Sequence, residues 1–289
     1  MVRIDAHCHF WKLSRGDYDW LDASNPSLAT IARDFLPSDI APFIQDAGVQ
    51  HVVMVQTAAN EAETDYMLTL ANNRDEIAGV VGWADIESGD ATKRLEKWAV
   101  DPKFKGIRPM MQNIDDAQWL LERPNADVFT AMVDLGIRFD ALVQPRHLSV
   151  LHKFCTSNPM LPVVIDHAAK PKAALAGNAD AFSHWARHMQ SIARDTNTYC
   201  KISGLLTELD ANNPTNQKDM LQRYVDVLLE AFGPDRLMWG SDWPVLTLVS
   251  DYQQWHTLVE ALLGHIEPDA RDQIFGGTAG AFYGIGVAP

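Results

Sequence analysis

The sequence contains few cysteines and no long apolar segment. Its three cysteines, Cys8, Cys155 and Cys200, are odd in number and far apart, which argues against a disulfide framework and favours a reducing compartment. The N-terminal residues lack the apolar stretch that a secretory signal requires, and no apolar run elsewhere is long enough to span a membrane. We therefore expect a cytoplasmic protein that does not interact with membranes.

Positive charge is also scarce. The 289 residues include 24 basic and 38 acidic side chains, giving a formal net charge of −14, and the basic residues form no evident patch. A polyanion would be repelled by this field, so we expect no nucleic-acid partner. Hydrophobic residues make up 47% of the chain and charged residues 21%, which is typical of a folded domain with a large core.

Short β-branched runs alternate with segments of helical periodicity along the whole chain. Eight runs are predicted strands, at 2–8, 51–57, 77–83, 105–109, 137–143, 162–167, 199–203 and 236–242. Gly48, Gly136 and Gly233 each stand before a strand, where a glycine can end the preceding helix. Repeated βα units predict parallel strands, and eight of them close most naturally into one (β/α)8 TIM barrel covering 1–289.

A doubly wound open sheet is the alternative architecture. It is disfavoured because no glycine-rich dinucleotide motif follows an early strand, and because polar residues end several different strands. The long segment 10–32 carries three aromatic residues, Trp11, Tyr18 and Trp20. Long loops at the top face of a barrel commonly contribute to a binding site, so we expect this segment to do so.

The first predicted strand ends in two histidines. Residues 5–11 read Asp-Ala-His-Cys-His-Phe-Trp, and alternation along a strand puts His7 and His9 on the same face. Two imidazoles in a barrel mouth can bind one divalent ion or hold a polar substrate group. Two incidental loop histidines are the alternative, and the position at the C-terminal end of a strand favours function.

A third histidine and a carboxylate end two later strands. Four strand-like residues precede His167, and an apolar strand runs into Asp242, with Pro244 beyond it. Alone, each has an ordinary structural explanation: a hydrogen-bonded histidine and an aspartate that closes a turn. Convergence with the first pair favours a functional role, with Asp242 as a general base that activates water. Asp166 is expected to point to the opposite side of its strand.

These motifs together resemble the amidohydrolase superfamily, in the branch that contains sugar lactonases. Besides the first strand, which in that branch often has Gln in place of Cys8, the resemblance covers segments 105–108, 164–167, 201–204 and 239–244. Among members of this branch, the sequence is most similar to L-fuconolactonases and L-rhamnonolactonases, which open aldonolactones to sugar acids. The resemblance implies a hydrolase whose catalytic residues are His7, His9, His167 and Asp242.

The sequence departs from the binuclear members of that superfamily. Those proteins usually have a carboxylated lysine or an acid on strand four and a histidine on strand five, whereas this chain has Arg108 and the segment Leu142-Val143-Gln144. At most one divalent metal, with zinc the first choice, is therefore expected on His7, His9, His167 and Asp242. The lactonase branch also includes enzymes that hydrolyse without metal, so the ion could be dispensable. No organic cofactor is expected.

Other polar residues are weaker candidates. Arg108 could bind a lactone oxygen or form a structural salt bridge, and Gln144 is a better candidate for a sugar hydroxyl than Arg146 or His147, which could instead begin a helix. Lys201 could reach the barrel interior, although a paired or snorkelling lysine is equally compatible. No chemistry is assigned to six further histidines, His51, His152, His184, His188, His256 and His265.

The predicted reaction is addition of water to the carbonyl of a sugar-acid lactone, with L-fuconolactone favoured. Trp11, Trp20 and Trp243 near the mouth would suit the C–H faces of a sugar ring. The alternative within the superfamily is a hydrolase or decarboxylase of an acidic intermediate in aromatic catabolism, such as a pyrone dicarboxylate or a muconolactone. A silent ligand-binding barrel is a third hypothesis, and it requires that the four catalytic candidates do not converge. The sequence gives no indication of oligomeric state.

Overall fold

The chain folds around one parallel sheet whose strands follow sequence order. The computed structural model describes residues 1–172, 177–209 and 217–286. The strands are β1 Ile4–Cys8, β2 His51–Val55, β3 Ile77–Gly82, β4 Phe104–Ile107, β5 Arg138–Ala141, β6 Val163–Ile165, β7 Tyr199–Ile202 and β8 Leu237–Trp239. The sheet closes where the backbone N–H of Asp242 donates to the carbonyl of His7 at 2.8 Å. The predicted (β/α)8 barrel is confirmed.

Helices connect and cover the strands. They are α1 Pro37–Asp46, α2 Glu61–Ala71, α3 Ala91–Ala99, α4 Trp119–Glu122, α5 Ala126–Asp134, α6 Leu148–Ser157, α7 Ala179–Asp195, α8 Gln217–Phe232, α9 Tyr252–Leu262, α10 Pro268–Asp272 and α11 Thr278–Tyr283. The predicted stops at Gly48, Gly136 and Gly233 are confirmed, with φ of +67°, +65° and +66°. These angles are left-handed, a conformation that glycine adopts without steric cost.

The strands are shorter than predicted at the ends that carry the candidate residues. β6 ends at Ile165, two residues before His167, and β8 ends at Trp239, three residues before Asp242. After each of these strands the backbone becomes left-handed, with φ of +53° at His167 and +59° at Asp242. A left-handed residue cannot continue a strand. The strands therefore end before the apolar sequence pattern from which they were predicted.

Apolar side chains form two separate clusters. The larger one lies between the strands and the helices, and it includes the buried thiols of Cys8 and Cys155. The smaller one fills the lower barrel interior with Ile4, Val53, Val81 and other strand residues, and the side chains of α11 complete it. The barrel is therefore a filled core, and the candidate residues His7, His167 and Asp242 lie at or just beyond the C-terminal ends of their strands. No described helix is both long and apolar enough to cross a membrane.

Candidate active site

Three imidazoles converge on one carboxylate oxygen at the C-terminal end of the barrel. The Nε2 atoms of His9, His7 and His167 lie 3.2, 3.8 and 3.9 Å from Oδ1 of Asp242. The ring centroid of His7 is 4.9 Å from that of His9 and 4.5 Å from that of His167. The four candidates of strands one, six and eight thus form a single cluster, which is the outcome that a silent barrel would not give.

The ring of each flanking histidine is held by its other nitrogen. Nδ1 of His9 lies 2.7 Å from the carbonyl oxygen of Val55, which can only accept, so this nitrogen carries a hydrogen. Nδ1 of His167 lies 2.9 Å from the hydroxyl of Ser203. Contacts of this kind fix the tautomer and the ring orientation of histidines that bind metals. Both rings therefore direct Nε2 towards Asp242.

Strained backbone delivers two of the four side chains. His167 begins a run of four consecutive left-handed residues that ends at Lys170, and Asp242 is also left-handed. Such a conformation costs about 1 to 3 kcal/mol for a residue with a β-carbon and concentrates at functional sites. Gly204 makes the packing possible, because a β-carbon there would lie 2.5 Å from Nδ1 of His167. The close fit indicates that the fold specifies where these two side chains lie.

Beneath the histidines lies a second set of buried charges, formed by Lys201, Asp140 and Asp166. Nζ of Lys201 is 2.6 Å from Asp140 and 3.0 Å from Asp166, and it also lies 3.1 Å from Nδ1 of His7. The expectation that Asp166 points to the opposite side is wrong. The strand ends at Ile165 and the backbone turns, so alternation no longer applies, and Oδ1 of Asp166 lies 3.4 Å from Nδ1 of His7.

Arg108 is engaged by its neighbours inside the barrel. One guanidinium nitrogen lies 3.5 Å from Asp166 and 3.4 Å from Nε2 of His7, and the other donates to the carbonyl of Gln56. The amide of Gln56 in turn donates to the Arg108 carbonyl at 2.7 Å. Of the two roles that the sequence left open, these contacts favour the structural one, since both terminal nitrogens of the guanidinium already have partners and only Nε has none.

Burial and neighbouring charge shift the pKa values of the cluster in opposite directions. Burial lowers the pKa of His167 to about 4 and also holds the pKa of His7 well below its usual range, so both rings are neutral near pH 7. Burial alone would raise the pKa of Asp242, but the interaction with His167 and the hydrogen bond from His9 outweigh it and hold this pKa below its usual value. His7 and His167 therefore present neutral rings to the ionised carboxylate of Asp242.

The spacing of these atoms suits a single metal ion. Ligand atoms at the corners of a tetrahedron with bonds of about 2.1 Å are about 3.4 Å apart. The separations of 3.2, 3.8 and 3.9 Å around Oδ1 of Asp242 are close to that value. Within the described residues, two groups of potential ligands stand out: His7, His9 and Asp242, and His7, Asp166 and His167. The first is the better donor set, because Asp166 is already paired with Lys201.

The three tryptophans predicted to contact substrate differ in their placement. Trp11 is fully buried and donates its indole N–H to the carbonyl of Arg33, and Trp243 is packed against Phe10 with 2% of its surface exposed. These two rings have no free face for a sugar, because both belong to the core behind the mouth. Trp20 is 38% exposed and packs edge-on against Trp11. The buried rings thus support Trp20.

The residues after β5 are also placed unequally. The side-chain oxygen of Gln144 accepts from Arg146 at 3.1 Å, and its backbone N–H donates to Nδ1 of His147 at 3.0 Å. The turn Pro145–His147 leads directly into α6. Of the two alternatives for His147, contact with a sugar or the beginning of a helix, the structure shows the second. His147 is buried against a small apolar cavity that Met111 helps to line. Gln144 is half-buried and remains the better candidate of the three.

Sequence reasoning missed three buried polar residues that hold the site together. Asp5 accepts from the backbone of Ser241 at 2.8 Å and from the hydroxyl of Tyr252 at 3.1 Å, which ties β1 to the loop after β8. Asp140 pairs with Lys201, and Ser203 orients His167. A charged residue between two apolar strand residues, as at Asp140 between Phe139 and Ala141, was the available signal. Ser203 had none, because a serine at the end of a strand is common.

Comparison with known proteins gives a consistent result over the full chain. A family model described as amidohydrolase matches residues 4–285. The chain is 41% identical over 287 residues to an L-fucono-1,5-lactonase of Burkholderia ambifaria, with 98% of this chain and 96% of that protein covered. An L-fucono-1,5-lactonase of Burkholderia multivorans is 33% identical, with 98% and 96% covered. The crystal structure of a Burkholderia multivorans amidohydrolase with bound zinc, 32% identical, superimposes with a TM-score of 0.90 over 98% of this chain and 99% of that one.

Proposed function

The chain belongs to the amidohydrolase family, and from that membership we propose that it is a lactonase that hydrolyses the cyclic ester of a neutral sugar acid. The observation that carries this proposal is the convergence of three imidazole Nε2 atoms on Oδ1 of Asp242. Full-length similarity to two L-fucono-1,5-lactonases supports a sugar lactone as the substrate. L-Fucono-1,5-lactone is the first substrate to test.

One divalent ion, with zinc the first choice, is proposed to bind His7, His9, His167 and Asp242. The related structure with bound zinc and the distances of 3.2 to 3.9 Å from Oδ1 of Asp242 to the three imidazoles support this assignment. A bound divalent ion would polarise the lactone carbonyl and lower the pKa of a coordinated water. A second ion is not expected, because Lys201 already supplies a positive charge to Asp140 and Asp166.

Asp242 is proposed to transfer the proton in both halves of the reaction. Its Oδ1 faces the imidazoles, whereas Oδ2 lies on the side of Gly204. As water oxygen bonds to the lactone carbonyl carbon, the carboxylate accepts the water proton. When the tetrahedral intermediate collapses and the bond from carbon to ring oxygen breaks, that proton passes to the ring oxygen. The product is the open hydroxy acid.

Arg108 and Lys201 are proposed to position the cluster. The guanidinium of Arg108 lies 3.4 Å from Nε2 of His7, and the ammonium of Lys201 lies 3.1 Å from Nδ1 of the same ring. Both cations also contact Asp166. Gln144 and Trp20 are the proposed substrate contacts, since each keeps some accessible surface near a strand end. The cytoplasmic location and the absence of nucleic-acid partners stay predictions.

The alternative substrate class, a polycarboxylated intermediate of aromatic catabolism, is not favoured. Such a substrate needs several converging cations. Among the described residues Arg108 is committed to Asp166, and Lys170 contacts Glu208 at 3.4 Å. The site therefore offers little unpaired positive charge to a second or third carboxylate.

The decisive experiment measures acid release from a panel of aldonolactones and from 2-pyrone-4,6-dicarboxylate, with metal analysis of the purified protein and parallel assays in chelator. We expect turnover of six-carbon and deoxy sugar lactones, at most one ion per chain, and lower activity after chelation. Rapid hydrolysis of the pyrone dicarboxylate with no turnover of any sugar lactone would overturn the neutral-sugar assignment. Full activity in a metal-free protein would overturn the role of the ion.

A further inference from the structure

A large cavity opens beside the histidine cluster. It has a volume of about 630 Å³ and is lined by the loops that follow β1, β2, β3 and β4. Pro109 and Thr57 lie in its wall. Pro109 follows Arg108 directly, and Thr57 is two residues beyond Val55, whose carbonyl holds His9. A substrate whose carbonyl lies at the cluster therefore has this cavity as its neighbour.

The apolar part of the lining includes three tryptophans, Trp20, Trp83 and Trp119. The indole N–H of Trp20 donates to the carbonyl of Thr57 at 3.0 Å, and that of Trp119 donates to Glu87 at 2.8 Å. Each bond fixes the ring while leaving the indole faces free of polar partners. Rigid aromatic faces are suited to the C–H surface of a sugar.

The polar part of the lining is entirely neutral or acidic. Of the eighteen described residues that line the cavity, four are carboxylates, Asp17, Asp19, Asp85 and Glu87, and none is lysine, arginine or histidine. Asp17 pairs with Arg15 at 2.5 Å and Glu87 with Arg123 at 3.0 Å. Both Asp19 and Asp85 are exposed. Hydroxyl groups can donate to such carboxylates, whereas an anionic group is repelled by them.

We propose that this cavity is the specificity site for the uncharged, hydroxylated end of the lactone, and that its acidic lining rejects sugar lactones with a second carboxylate. This inference rests on the proposed lactonase function and adds the residues that select the substrate. Trp20 supplies the apolar contact, and Asp19 and Asp85 supply the charge discrimination. The reacting carbonyl lies outside the cavity, at the cluster, so the cavity contributes to substrate binding more than to the chemical step.

The first test separates binding from chemistry. Trp20→Ala should raise KM for the best neutral lactone about tenfold and change kcat by less than about threefold, because the ring contacts substrate equally in ground and transition states. The matched control is Phe43→Ala on α1, an aromatic residue of similar exposure (40% against 38%) that does not line the cavity. An unchanged KM in Trp20→Ala would overturn the assignment.

The second test measures charge selectivity with a matched pair of substrates, D-glucono-1,4-lactone and the anionic D-glucaro-1,4-lactone, which share a five-membered lactone ring and differ only in the carboxylate at C6. We expect wild-type kcat/KM to favour the neutral lactone, and the double variant Asp19→Asn/Asp85→Asn to narrow that preference at least about tenfold. The control is Asp75→Asn, an exposed aspartate before β3 at the opposite end of the barrel. If the double variant keeps the wild-type ratio, the inference is wrong although the lactonase function stands. If no neutral lactone is hydrolysed at all, the proposed function itself fails.

Discussion

Two neighbouring sets of buried polar residues in the barrel differ in how their charge is balanced. In the lower set, the carboxylates of Asp140 and Asp166 face the ammonium of Lys201, and Arg108 lies beside Asp166. The interaction with the two carboxylates outweighs burial and raises the pKa of Lys201, so two negative charges meet two positive ones. The lower set is complete in itself, and we assign it a structural role.

The upper set contains His7, His9, His167 and Asp242, and its charge is not balanced. The carboxylate is ionised, whereas burial keeps His7 and His167 neutral. Left-handed backbone occurs at His167 and Asp242, while the lower set contains no such residue within the described chain. A strained, electron-rich cluster beside a relaxed, neutral one indicates where a cation and a substrate carbonyl are accommodated.

The sharpest test of this division is Asp242→Asn. The amide keeps an oxygen that can face the imidazoles but cannot accept a proton from water, so kcat for the best lactone should fall by about 10²- to 10⁴-fold. Circular dichroism should remain that of wild type, and metal content should be measured in the same samples. Asp75→Asn serves as the control. Activity within about threefold of wild type would remove Asp242 from the role of general base.

The lower set should respond through stability. Lys201→Met leaves Asp140 and Asp166 buried without their ammonium, and breaking a buried ion pair costs about 3 to 5 kcal/mol of unfolding free energy. Urea unfolding measures the change. The double variant Lys201→Met/Asp140→Asn removes one of the stranded charges and should recover part of the loss. Either of two results would contradict a structural role for the buried ion pairs of the lower set. One is a Lys201→Met variant as stable as wild type, and the other is a double variant less stable than the single one.

The sequence predicted the parts of this site that follow from periodicity. Strand alternation placed His7 and His9 together, and the strand order of a barrel brought His167 and Asp242 to the same end. It did not predict the left-handed turns, since nothing in the residue types at 167–170 excludes right-handed backbone. For this reason the predicted direction of the Asp166 side chain was wrong, whereas His167 does lie beside His7 and Asp242.

Side-chain pairing and exposure were less accessible to sequence reasoning. Lys201 was expected to be either internal or paired, and it is both, because a buried ammonium requires partners that the sequence brings from β5 and β6. Trp11, Trp20 and Trp243 were treated alike, yet only Trp20 is substantially exposed. Which aromatic residues face solvent depends on how the loop 10–32 folds over the barrel, and composition contains no information on that arrangement.

The smallest expected effect concerns acid stability of the metal-free protein, and it tests whether the His167 ring is neutral in the folded state. The pKa of His167 is lowered from 6.5 to about 4 by burial. Between these values the unfolded chain binds a proton that the folded chain does not, so the free energy of unfolding falls as the pH falls through this window. The pKa of Asp242 is also lowered, but from 3.8, so Asp242 affects the free energy of unfolding only at pH values below this window.

The variant His167→Asn removes the titrating ring. It also tolerates the left-handed backbone, since asparagine adopts it more readily than most residues. In chelator, the melting temperature of this variant should decline less steeply between pH 7 and pH 4.5 than that of wild type, with part of the slope retained because His7 is shifted in the same direction. The exposed His184→Asn on α7 should follow the wild-type slope. Parallel curves for wild type and His167→Asn would show that His167 is not held neutral by burial, and the contrast between the two sets would lose its electrostatic basis.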